Sequence, residues 1–215
     1  MRLAIGNKNY SSWSLRAWLA VKLAGAEFEE VLILLDTPEF KAEVTRFSPA
    51  GRVPTLVDGD VAVWDSLAII EYLAEKYPGR GIWPQDRAAR AHARAIVAEM
   101  HSGFPDLRSG YPMNLRREPA ARAKPFDAAK DVARVREIWR DCRTKYGGAG
   151  AYLFGEFSAA DCFYAPVVTR FLTYRLPLSG SEKAYAEAVM DYPFMRQWCE
   201  EALKEPWVVV ADEVE

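Results

Sequence analysis

The segment Tyr10-Ser11-Ser12-Trp13-Ser14-Leu15-Arg16 puts three hydroxyls where a short apolar run gives way to a helical pattern. A helix start favours negative charge through its free N–H groups and its dipole. The anion that most needs such help is a thiolate. A thiol with a pKa near 8.5 is only a few per cent ionised at neutral pH, and the thiolate is the nucleophile. Lowering that pKa by roughly two units takes about 2.7 kcal/mol. A hydrogen bond to a charged group supplies roughly 1.5–3 kcal/mol and a helix start adds about 0.3–1, so one serine is enough. Ser11, Ser12 and Ser14 are the candidates, and each can instead serve only as the helix N-cap.

Two further segments offer groups for a single cleft. In Gly51-Arg52-Val53-Pro54-Thr55-Leu56, Pro54 stands just before a strand. A cis bond there would turn the Val53 N–H and C=O outward, where a peptide can pair with them like an added strand; a plain trans turn is the alternative. Asp65-Ser66 follows a strand and opens a helix, so its N–H groups and the Ser66 hydroxyl can grip a carboxylate, while Asp65 can pair with an ammonium. Either residue can equally be a cap. Arg52 offers a forked contact to a carboxylate. Lys41 offers a second cation, or is a solvated surface lysine.

These residues need elements to position them. Arg2–Ile5 reads as a short strand, with a helix from the serine segment to Gly25. Residues 28–35 read as a second strand, and a helix begins at Thr37-Pro38 and ends before Ser48. Thr55–Val57 and Val61–Trp64 flank Asp58-Gly59-Asp60 and form a hairpin. A helix from Ser66 to Tyr77 completes βαβαββα over residues 1–78, and Pro78-Gly79-Arg80-Gly81 and Pro84 mark a linker over 79–85. Residues 86–215 show only helical patterns: 86–102, a stripe through Val132, Val135, Ile138, Trp139 and Cys142, then 158–171 and 192–203. Ser158-Ala-Ala-Asp161 is a capping-box signature with a structural role. Gly103–Lys124, rich in Pro and Arg, reads as a kinked helix end and a surface loop; Arg87, Arg90 and Arg94 read as a solvated face.

The chain has 215 residues, half of them apolar, and a formal net charge of −2 with its cations scattered. That composition suits a packed globular protein and leaves no basic footprint for nucleic acid or an anionic membrane. No run approaches the roughly 18 apolar residues of a membrane helix. The start lacks a secretory pattern, and the expected location is cytosolic. Cys142, Cys162 and Cys199 are too far apart for a CxxC pair, and with only His92 and His101 no metal site is expected.

The order βαβαββα, a proline opening the hairpin and a helical second domain, resembles the glutathione S-transferases across essentially the whole chain. Ser11, Ser12, Ser14 and Arg16, Val53-Pro54-Thr55-Leu56, the segment from Ser66 to Leu73 and Pro84-Gln85-Asp86 look most like the zeta class and its bacterial relatives. The resemblance implies an α/β thioredoxin-like N-terminal domain that binds glutathione as co-substrate. It implies an all-α C-terminal bundle forming most of the electrophile pocket, and usually a homodimer. It makes Ser11, five residues before Arg16, the thiolate donor. The cysteinyl unit of glutathione falls to Val53, the γ-glutamyl end to Asp65 and Ser66, and the glycyl carboxylate to Arg52 and Lys41. Ser12 and Trp13 lie beside the sulfur, Trp13 replacing the cysteine of the zeta pattern. His101, Phe104, Leu107, Arg108 and Tyr111 fall where the second domain overhangs the thiol. The expected activity is conjugation of glutathione to a small electrophile. The alternatives are a glutathione-dependent cis–trans isomerase of the maleylacetoacetate type and a non-catalytic binding or interaction protein.

Overall fold

The computed structural model describes residues 1–124 and 126–215. Four strands, β1 (Arg2–Ile5), β2 (Glu29–Leu32), β3 (Thr55–Asp58) and β4 (Val61–Trp64), form one sheet in the order β2-β1-β3-β4. β1 runs parallel to β2 and antiparallel to β3, and the β3–β4 hairpin closes the sheet. Helices α1 (Ser12–Leu23), α2 (Phe40–Val44) and α3 (Ser66–Lys76) complete the βαβαββα order expected of the sequence. After a 3-10 turn at Pro78–Arg80 come α4 (Arg87–Ser102), α5 (Pro105–Gly110), α6 (Ala129–Tyr146), α7 (Ala159–Thr173), α8 (Gly180–Asp191) and α9 (Pro193–Ala202).

α1 is the shared spine of the molecule. It packs on α3 of its own domain and on α7 and α9 of the helical domain. Except for Trp13, it is buried from Ser12 to Val21, so it carries no polar face. α7 is buried almost throughout, and its start is fixed by the expected box: Ser158 N–H and Oγ both donate to Asp161, at 2.8 and 3.0 Å.

Three local expectations differ from the structure. The second strand covers only Glu29–Leu32 rather than 28–35. Beyond Ile33 the chain leaves the sheet, with Leu35 N–H donating to Asn7 Oδ1 and Asp36 at φ 57°. The following helix begins at Phe40 rather than Thr37, because Thr37 closes a turn onto Leu34 O before the helix starts. Helix α8 was not foreseen, although Ser179 and Glu182 form a second capping box. Glu182 is fully buried and binds Arg136 and Arg140 of α6, so this carboxylate joins two helices as well as capping one.

The loop before α1 is gripped by the helical domain. Glu205 accepts the N–H groups of Lys8 (2.7 Å) and Asn9 (3.0 Å), and Trp198 Nε1 donates to Lys8 O. Lys8 Nζ pairs with Glu30 and Glu201 between the rings of Trp18 and Trp198. Buried Asn9 holds Asn114 and Arg116. Glu205→Ala strands two buried N–H donors, and each such loss costs about 1–3 kcal/mol. Urea unfolding should therefore show about 2–6 kcal/mol less stability. A loss under about 0.5 kcal/mol would mean that water replaces the carboxylate.

Candidate active site

A cleft of about 1120 Å³ lies between the sheet domain and α5 and α7. On the sheet side it is lined by residues 10–13, by Arg52, Val53 and Pro54, and by Trp64 and Asp65. On the helical side it meets Arg108 of α5, Met113 just beyond, Arg170 of α7 and Asp212 from the segment after α9. The structure thus brings together Ser11, Ser12, Trp13, Arg52, Val53 and Asp65. Ser66 is fully buried one residue behind Asp65, its hydroxyl without a partner among the described residues. Lys41 is exposed on α2 and is not part of the lining.

Ser11 is the N-cap of α1. Its Oγ lies 2.7 Å from Ser14 Oγ and 3.4 Å from Ser14 N, and Ser14 Oγ also accepts Gly6 N–H at 3.0 Å. A hydroxyl pair can run in either sense. When Ser14 donates to Ser11, the Ser11 proton is free to point into the cleft. The Ser12 hydroxyl, also at the lining, has no partner among the described residues. Tyr10 is a poor rival donor, because its hydroxyl is committed to Glu213 and burial pushes its pKa up.

The Val53–Pro54 peptide bond is cis. Val53 lies outside β3, and its N–H and C=O have no backbone partner among the described residues. Asp65, at φ 78°, caps α3 by accepting Leu67 N–H at 2.8 Å. Its other carboxylate oxygen is 3.3 Å from Nε2 of His101, whose ring meets Trp13 edge-on. Burial holds His101 below its usual pKa, with Asp65 opposing.

Three guanidiniums give this end of the cleft its field. Arg16 is fully buried, its faces covered by Trp13 at 4.4 Å and Phe163 at 4.8 Å, and none of its nitrogens has a partner among the described residues. Burial, then the charges of Arg170 and Arg108, lower its pKa to about 9. Arg170 is lowered to about 10, by burial and then by Arg108. Both therefore stay cationic at neutral pH. Arg170 donates Nε to Tyr111 O and one Nη to Pro166 O, and its side chain reaches the lining.

Of the second-domain residues expected over the thiol, Arg108 lines the cleft and stacks on Trp13 at 4.9 Å, and His101 reaches Asp65. Phe104 and Leu107 are core residues, and Tyr111 contributes a carbonyl to Arg170. Arg170 was missed. Its signal was an arginine inside the otherwise apolar run of α7. Asp212 had no local signal, because its position depends on the path of the segment after α9.

Two family models match the chain: the glutathione S-transferase N-terminal domain over residues 10–76 and the C-terminal domain over 120–201. "Glutathione S-transferase 1" of Dianthus caryophyllus is 30% identical over 198 residues, 88% of each chain. The chain belongs to the glutathione S-transferase family. A "Probable maleylacetoacetate isomerase" of Caenorhabditis elegans is 43% identical over 97 residues, 45% of this chain and 44% of the worm protein, so that match spans under half of its length. Among solved structures, a maleyl pyruvate isomerase described as a bacterial zeta-class glutathione S-transferase superposes with a TM-score of 0.73 at 21% identity. The superposition covers 97% of this chain and 100% of the other. At that identity the likeness speaks for the glutathione S-transferase fold, with its thioredoxin-like first domain.

Proposed function

We propose that this chain is a glutathione transferase: it binds glutathione along the sheet side of the cleft, ionises its thiol at the start of α1, and delivers the sulfur to a small electrophile held by α5 and α7. The observation that carries this reading is the meeting, in one cleft, of helix-start serines, the open backbone edge of Val53 and the Asp65 carboxylate. Ser11 is the proposed thiolate donor, with Ser12 and Trp13 beside it. Val53 pairs with the cysteinyl unit. Asp65 takes the glutamyl ammonium, and the start of α3 at Ser66 the glutamyl carboxylate. Arg52, on the cleft wall, takes the glycyl carboxylate, and Lys41, exposed on α2 outside the lining, adds at most a distant positive charge. The reading includes a homodimer, for which Val61 and Trp64 on edge strand β4, each 46% exposed, are candidate contacts. It also includes a cytosolic location, in keeping with the three free cysteines. No described helix is long and apolar enough to cross a membrane.

A second reading is favoured by Arg108 and Arg170. The two guanidiniums suit an acidic electrophile, and a cis-alkene acid to which glutathione adds and from which it is eliminated would be isomerised rather than conjugated. The worm protein named above, a probable maleylacetoacetate isomerase, lends it support. The test is retention on immobilised glutathione, followed by assays of chlorodinitrobenzene conjugation and of isomerisation of cis-alkene dicarboxylic acids. Turnover in either assay supports the corresponding reading. Retention without turnover favours a binding protein, and no binding at millimolar glutathione overturns the proposal.

A further inference from the structure

We propose that Asp212 sets the electrophile's charge preference: its carboxylate, laid into the cleft beside Arg170 by the segment after α9, screens that guanidinium and lowers affinity for acidic electrophiles. The inference rests on the transferase reading and adds to it a residue outside the catalytic loop. Residues 205–215 do not hang free. Arg116 donates to the carbonyls of Glu205 and Trp207, and Arg117 donates to that of Val214. Glu213 accepts from both Tyr10 and Asn114. These ties hold the 3-10 turn Val210–Asp212 at the mouth of the cleft, where Asp212 joins Arg108 and Arg170 in the lining.

The charges at this end are unevenly placed. Glu213 is engaged with Tyr10 and Asn114, and Asp65 with His101 and the cap of α3. The Asp212 N–H donates to Val209 O, but its carboxylate has no hydrogen-bond or ion-pair partner among the described residues, although the residue is half-buried in the lining with Arg170. Burial, with Glu213 and Asp36, raises the Asp212 pKa, and Arg170 opposes them. A carboxylate in that position competes with any carboxylate on the electrophile for the Arg170 guanidinium. For a neutral electrophile there is no such competition. The segment thus adjusts which substrates the cations attract without touching the sulfur.

The experiment compares chlorodinitrobenzene with chlorodinitrobenzoate. In both, the glutathione sulfur forms the new C–S bond and chloride leaves, so the ring carboxylate is the variable. Asp212→Asn should raise the ratio of kcat/KM for the benzoate to that for the neutral ring by about three- to tenfold, mainly through a lower KM for the benzoate. Asp212→Glu, which keeps the charge, should hold the wild-type ratio. An unchanged ratio in Asp212→Asn, or the same change in both variants, overturns the proposal. If wild type turns over neither compound, the transferase reading fails separately, and calorimetric titration with dinitrobenzoate decides the matter. Tighter binding to Asp212→Asn than to wild type supports the screening role, and equal binding removes it.

Discussion

Ser11→Ala is expected to lower kcat/KM for chlorodinitrobenzene by about a hundredfold and to move the lower limb of its pH profile up by about 1–2 units. The sign follows from what the hydroxyl does. A donor to the sulfur stabilises the thiolate and depresses the thiol pKa; without it the pKa returns toward 8.5, and activity recovers as pH rises. A purely structural role would lower the rate without moving the profile. The variant should also lose stability, because Ser11 is the N-cap of α1 and takes Ser14 N–H. A cap is worth about 1 kcal/mol, or about 2–4 °C in a chain of this size. Ser12→Ala provides the control. Its hydroxyl faces the cleft without a partner among the described residues, so a larger loss in that variant, with a normal profile in Ser11→Ala, would transfer the donor role to Ser12.

Asp161→Ala should cost about 3 kcal/mol at pH 7, seen as a fall of roughly 6–12 °C in the unfolding midpoint, with glutathione affinity kept in the protein that remains folded. The carboxylate is fully buried and accepts Leu153 N–H, Ser158 N–H and Ser158 Oγ–H at 3.1, 2.8 and 3.0 Å. Removing it strands two buried backbone donors at the start of the central helix α7. The penalty carries a distinctive pH dependence. Burial raises the Asp161 pKa from 3.8 to about 6 despite those hydrogen bonds. A folded-state pKa above the unfolded value means that this group's contribution is fully present below 3.8 and lost as pH rises through about 6. The stability gap between wild type and Asp161→Ala should therefore be widest near pH 4 and narrow toward pH 7. A gap that widened with pH would show that the carboxylate is stabilised, not penalised, by its surroundings.

The fold was legible where a signal repeats locally. The alternating and helical periods of the first 78 residues placed β1, α1, the β3–β4 hairpin and α3, and the Ser158–Asp161 box marked the start of α7. The apolar run 28–35 exceeds β2 at Glu29–Leu32, because such a run does not say where pairing with β1 stops. That limit is set by Leu35 turning onto Asn7, a contact 28 residues apart. α8 was overlooked although its capping box was there to be read at Ser179 and Glu182. On the sheet side of the cleft, motif spacing brought Ser11, Val53 and Asp65 together in advance. On the helical side, only Arg108 of the lining was expected in advance. Arg170 and Asp212 enter it only through the packing of α7 on α1 and the path of residues 205–215.

That path bears on any exchange of halves between relatives. A chimera joined within residues 79–85 would bring a foreign partner to the Lys8–Asn9 loop, because the acceptor Glu205 and the indole of Trp198 that position it belong to the other half. Recombination that preserves sulfur activation must therefore transplant these contacts together with the loop they serve. New electrophile ranges are more readily reached by changes confined to α5 and to the turn Val210–Asp212, which leave Glu205 and Trp198 in place.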